Sequence, residues 1–269
     1  MQSKLLLGEL LMKLFDDVTR FLINIKQPLS DDRRNMMQLE AADVELSDET
    51  IPSNTIVCNG IPVEIKWDKV VKHTDVEGMV LPENCYKAVK KQRMPTMFVA
   101  HWDVCLSSKS CFNVLKKRKL SVHFLIDNDG TIHQIMDTNH IAYHAGNRKV
   151  NNASVGVEIS NAYYPKYQNI YKKRGFGPRP LWEGVKVHGR ELEPFLGFYD
   201  VQVEAFKALS GALNKAYNIP LQSPMRNGQP VETIYNEAKN ATFKGVVNHY
   251  HITTRKIDCA GLKLDEVLK

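Results

Sequence analysis

The chain lacks a long unbroken apolar run. The nearest approach, residues 4–25, is interrupted by Lys4, Glu9, Lys13, Asp16, Asp17 and Arg20, which excludes a transmembrane span and a secretory signal there. Cysteine is scarce. Five cysteines in 269 residues is an odd number in a long chain, and it argues against a disulfide framework. Reduced thiols are the default, although Cys105 and Cys111 are close enough in sequence to pair in an oxidising compartment. Charge of one sign is not in great excess. The formal net charge of +6 suits anionic polymers but falls far short of a dedicated polybasic binder, so no nucleic-acid partner is expected. Internal repeats are absent.

An apolar fraction of 43% is enough for a sizeable core. In residues 4–25, Leu7, Leu11, Leu14, Val18, Phe21 and Ile25 fall in steps of four and three, the seam of an amphipathic helix. It either packs on its own domain or serves docking or self-association. Two to three heptads alone are marginal in water. Residues 26–55 are polar and acidic and read as a connector. The expected organisation is therefore an N-terminal helix and linker over 1–54 and one domain over 55–269.

Within that domain, Asn59-Gly60 sits between two short apolar runs and predicts a hairpin. A second hairpin is predicted where SVHFLID and TIHQIMD flank Asn128-Asp129-Gly130. Residues 97–101 (MFVAH), 154–160 (SVGVEIS) and 245–248 (GVVN) read as strands. Residues 84–91, 109–119 and 201–217 read as helices, 139–153 as loop, and 161–200 as a long insertion without strong periodicity. Alternating strands and helices give an α/β class.

Histidines stand at two strand ends, His101 after MFVA and His249 after GVVN. A polar loop then carries Lys256, Asp258 and Cys259. A catalytic zinc site uses three protein ligands and one open position, so His101, His249 and either Asp258 or Cys259 form a candidate set. Glu158 is a carboxylate inside an apolar strand, a costly placement unless it is paired or used in chemistry. Tyr163, Tyr164, Tyr171, Phe176 and Trp182 lie among Lys172, Lys173 and Arg174, a mixture suited to sugar rings and equally to packing of the insertion.

Five pieces in order, FVAH to His101, VHFLIDNDGTIHQ at 122–134, AYHAG at 142–146, NNASVGVEIS at 151–160 and VVNHYHITTRKID at 246–258, resemble the type 2 N-acetylmuramoyl-L-alanine amidases. That family includes phage lysozyme-amidases and peptidoglycan recognition proteins. The resemblance covers about 97–264. It implies a mixed central β-sheet flanked by helices, with a zinc site in a surface groove. It implies His101 and His249 as ligands to Zn2+, with Asp258 as third ligand and Cys259 as the alternative. Cys259 stands where the family usually has proline, and this departure leaves the choice open. By the same resemblance Glu158 is the general base, Lys256 stabilises the oxyanion, and His144 lines the groove and touches substrate. Some members use a tyrosine where this chain has Val122, which closes that route. His251 is expected outside the ligand set and His123 in the core. The implied activity is cleavage of the amide between N-acetylmuramic acid and L-alanine of peptidoglycan, as in a phage endolysin or bacterial lytic enzyme. The alternative is a non-catalytic peptidoglycan-binding module. Without a signal peptide, synthesis would be cytoplasmic, with access to the wall through a holin or on lysis.

Overall fold

Six strands, β1 (Val70–Lys72), β2 (Met97–Trp102), β3 (Phe124–Ile126), β4 (Ile132–Gln134), β5 (Ser154–Ile159) and β6 (Gly245–Asn248), form one sheet in the spatial order β6-β2-β5-β3-β4-β1. These elements belong to a computed structural model that describes residues 54–269. The expected helix over 4–25, its docking role and nearly all of the connector lie outside the described residues. Strands β6, β2, β5 and β3 run parallel, β4 is antiparallel to β3, and β1 is parallel to β4. The sheet is therefore mixed, as expected from the family resemblance.

The sheet is covered on both faces, which explains why its central strands read as near-continuous apolar runs rather than alternating ones. All six residues of β2 are buried. On one face, Phe98, Ala100, Phe124, Ile126, Val155 and Val157 meet Ala205, Phe206, Leu209 and Leu213 of the helix α3 (Asp200–Tyr217). Phe98 and Phe206 stack with centroids 5.2 Å apart. On the other face, Leu125 packs with Phe112 and Leu115 of α1 (Ser108–Arg118). Met97, Val99 and Val247 pack there with Val150 of α2 (Arg148–Ala153). Side chains alternate between faces with period two. His101 therefore shares the second face with Met97 and Val99, at the carboxyl end of the strand.

Local chemistry fixes the helix ends. The Ser107 hydroxyl accepts the backbone N–H of Ser110 and the Ser110 hydroxyl accepts that of Ser107. This reciprocal cap starts α1, and Lys119 in the left-handed region ends it. The Asn59-Gly60 turn has both residues at positive φ, 54° and 77°, as a tight hairpin requires. Both predicted hairpins form.

Two local expectations are corrected. The helix expected over 84–91 is a single turn, Glu83–Cys85, followed by the extended pair Tyr86–Lys87, which bonds to Ile141–Ala142. The loop expected over 139–153 contains that pair and α2, which is started by Asn147 accepting the N–H groups of Lys149 and Val150.

Residues 161–200 hold a short helix and two small antiparallel pairs, and they are anchored rather than loose. Arg179 is buried, donates to the carbonyls of Ser160 (2.7 Å) and Gly197 (2.8 Å), and lies between the rings of Tyr171 and Tyr199. Tyr171 is wholly buried. Trp182 packs edge-on against Phe195 and Phe198. Tyr164 and Phe176 remain exposed, so packing accounts for part of the aromatic cluster and leaves these two rings facing outward.

Candidate active site and metal centre

Parallel pairing sets the site. His101 of β2 is in register with Glu158 of β5. Asn248 of β6 is in register with Ala100, so His249 emerges level with His101, one residue beyond its strand. The following loop returns Asp258, where the Asp258 carbonyl accepts the Tyr250 N–H at 3.0 Å. Three atoms converge. His101 Nδ1 and His249 Nδ1 are 2.9 Å apart, and Asp258 Oδ2 lies 3.1 and 3.0 Å from them. All three residues are buried.

Two imidazole lone pairs facing a carboxylate are an electron-rich set that a cation would satisfy. A triangle with edges near 3 Å admits a point about 2 Å from each corner on either side of its plane, the distance zinc keeps from nitrogen and oxygen donors. The donor set therefore fits zinc. Cys259, the alternative third ligand, is not among the converging atoms. It is fully buried in the main core with Ala260 and Leu262, and burial pushes its thiol up.

A hydrogen-bond relay fixes which His101 nitrogen is bare. The Ser154 hydroxyl donates its one proton to the Val150 carbonyl at 2.7 Å, because a carbonyl can only accept. Its oxygen is then free to accept from His144 Nε2 at 3.1 Å. That leaves His144 Nδ1 as an acceptor, 2.9 Å from His101 Nε2. His101 thus carries its proton on Nε2 and points an unprotonated Nδ1 into the triangle. Burial, with His249 nearby, lowers the His101 imidazole to about 4, and burial lowers His144 well below its ordinary value. Both rings are neutral near pH 7. Gly156 makes room for the relay, since a methyl group on its Cα would meet His144 Nδ1 at 2.8 Å.

Glu158 is half-buried, and its Oε2 has no hydrogen-bond partner among the described residues. Burial, reinforced by the nearby Asp258 and Asp103 carboxylates, raises its carboxyl well above the ordinary value. Burial would also raise Asp258, but the His101 and His249 imidazoles facing its Oδ2 hold it well below the carboxylate range. Adjacent carboxyls with pKa values pushed apart are a hallmark of acid–base sites. A cavity of about 120 Å³ is lined by His101, His249, Asp258, Glu158, Lys256 and His144, and Lys256 is exposed at its rim.

All the expected site residues therefore line one cavity, except Cys259. His144 lines it as expected and also holds His101, a link the sequence reading missed. Ser154 was missed too. The available signal was parity, because Ser154, Gly156 and Glu158 alternate along β5 on the face that carries His101. His251 and His123 are structural. His251 accepts the Asn248 N–H and donates to the Val231 carbonyl. His123 accepts the Gly156 N–H and donates to the His140 carbonyl.

Among solved structures, the chain is similar to the N-acetylmuramyl-L-alanine amidase AmiD from E. coli, with 19% identity over 67% of this chain and a TM-score of 0.42. It spans 60% of that protein's chain. It is also similar to the N-acetylmuramoyl-L-alanine amidase LysC from Clostridium intestinale, with 17% identity over 74% of this chain, 94% of that chain and a TM-score of 0.41. Among curated proteins, none matches. The sequence profile of the N-acetylmuramoyl-L-alanine amidase family matches residues 90–261. That match takes in His101, His144, Ser154, Glu158, His249, Lys256 and Asp258 and more than half of the chain, and the chain belongs to this family.

Proposed function

We propose that this chain is a zinc-dependent peptidoglycan hydrolase that cuts the amide between N-acetylmuramic acid and L-alanine of the stem peptide. The observation that carries the reading is the convergence of His101 Nδ1, His249 Nδ1 and Asp258 Oδ2 within 3.1 Å, beside a carboxylate with an unpartnered oxygen. His101, His249 and Asp258 would hold the ion, and a zinc ion there supplies Lewis acidity to the amide carbonyl and to the attacking water.

The chain's own groups do the rest. Glu158 Oε2 takes the proton of the attacking water and returns it to the leaving amide nitrogen, so the carboxylate ends the cycle as it began. Lys256 Nζ faces the negative oxygen of the tetrahedral intermediate. A preorganised donor in a water-excluded site is worth roughly 3–4 kcal/mol, and Lys256, exposed at the rim, would supply less than that until substrate covers it. His144 and Ser154 keep the His101 ring oriented, and the cavity walls limit competing water. Tyr164 and Phe176, exposed on the insertion, are candidates for contact with the polymer. A phage or bacterial lytic role, with export assisted by a holin or by lysis, agrees with this chemistry.

Dye release from labelled peptidoglycan, with and without chelator, tests the reading. Release that stops on metal removal and returns with zinc supports it. Binding of peptidoglycan with no chelator-sensitive release would make the chain a non-catalytic wall-binding module. For the N-terminal segment, sedimentation with and without residues 1–50 tests the self-association role, which fails if both forms are monomers.

A further inference from the structure

A second group of metal-capable side chains stands on the wall of the same cavity. After β2 the chain turns through Asp103 and Cys105 into α1. Asp103 Oδ1 accepts the backbone N–H groups of Cys105 (2.8 Å) and Asn161 (2.9 Å), and Oδ2 accepts the Ser160 hydroxyl at 3.1 Å. These bonds fold the loop back so that Cys105 lies against Cys111, in the first turns of α1. One ligand-capable atom from each of Asp103, Cys105 and Cys111 lies within 4.8 Å of the others. Both cysteines are free thiols. Asp103 and Cys111 line the cavity that also holds Glu158. Asp103 has no ion pair with lysine or arginine among the described residues. Val104, between the first two donors, is held at φ 51°, a region a β-branched residue rarely adopts. The loop keeps this strained shape while presenting Asp103 and Cys105 to one point.

We propose that Asp103, Cys105 and Cys111 bind a thiophilic divalent cation, zinc or cadmium, as a second site distinct from the histidine–aspartate triad. Two sulfurs and one oxygen, with a fourth position open to the cavity, match the tetrahedral, sulfur-tolerant coordination of these ions. Hard ions such as magnesium and calcium demand oxygen ligands and are excluded. On binding, each thiol gives its proton to solvent as its sulfur bonds the ion, so one cation releases two protons and no electrons move.

The triad contains no sulfur, which makes the test selective. Chelator-stripped, thiol-reduced full-length protein is titrated with cadmium without oxygen. Bound equivalents are measured by dialysis, and the ultraviolet sulfur-to-cadmium charge-transfer band is followed. Two equivalents are expected, with the band developing for one of them. Cys105→Ser, at a half-buried position that tolerates the change, loses the band and one equivalent, and Cys111→Ser does the same if folded. His249→Ala loses the other equivalent and keeps the band. A wild type that binds one equivalent without a band overturns the proposal. So does a band that survives Cys105→Ser and vanishes in Cys259→Ser, because the sulfur would then belong to the loop after His249. None of these readouts depends on hydrolysis.

Discussion

Replacing His144 with leucine removes the acceptor for His101 Nε2 and leaves the rest of the relay intact. The Ser154 hydroxyl still donates to the Val150 carbonyl, so the cost falls on His101. Its Nε2–H, buried and without a partner, no longer selects the form with a bare Nδ1 facing His249 and Asp258. Partners that orient a metal-binding histidine typically contribute 10- to 100-fold in affinity, which is about 1.4–2.7 kcal/mol. His144→Leu is therefore expected to weaken zinc binding by that factor, measured by competition with a chromophoric chelator. His144→Asn should lose much less, because its amide oxygen can reach toward the place of Nδ1 and accept from His101. Far-ultraviolet circular dichroism checks that both variants fold. If folded His144→Leu binds zinc as tightly as the wild type, or if His144→Asn is equally impaired, the relay does not orient His101.

Glu158→Gln should abolish dye release while leaving zinc binding in place, as expected when the proton carrier is lost and the ligands remain. The same variant also tests burial of the carboxyl. Its folded-state pKa is raised, so any stability linked to its proton is present below the ordinary carboxylate pKa and is lost as pH rises above it. In chelator-treated protein the melting temperature of Glu158→Gln should match the wild type in acid and exceed it toward neutral pH, and a gap that widens in acid would refute this. Gly156→Ala forces a methyl group against His144 Nδ1 and should weaken zinc binding in the same sense as His144→Leu. Phe206→Ala removes a fully buried ring stacked on Phe98. A loss of about 3–5 kcal/mol in denaturant unfolding is expected, and a loss under 1 kcal/mol would contradict the packing described.

Much of the fold was legible because local signals and burial agreed. The Asn59-Gly60 and Asp129-Gly130 turns marked both hairpins, and apolar runs marked β2, β5 and β6. The α2 segment was missed because Arg148 to Ala153 is polar and short, and its start depends on the Asn147 cap. The extended pair Tyr86–Lys87 exists only because Ile141–Ala142 bonds to it, a partnership across more than fifty residues that no local pattern carries. At the site, histidines at strand ends were readable, since a strand end fixes where a side chain points. Asp258 and Cys259 were not separable, because adjacent residues in an irregular loop follow no period. The Ser154–His144–His101 relay and the nearness of Asp103 to both thiols arise from strands pairing side by side, and they become visible only once the register is known.

Anomalous diffraction at the zinc edge from crystals of the zinc-loaded protein would test the central claim most directly. The account predicts a peak within about 2.0–2.2 Å of His101 Nδ1, His249 Nδ1 and Asp258 Oδ2. The absence of a peak between those atoms, or a peak bonded to the Cys259 sulfur in place of Asp258, would contradict it.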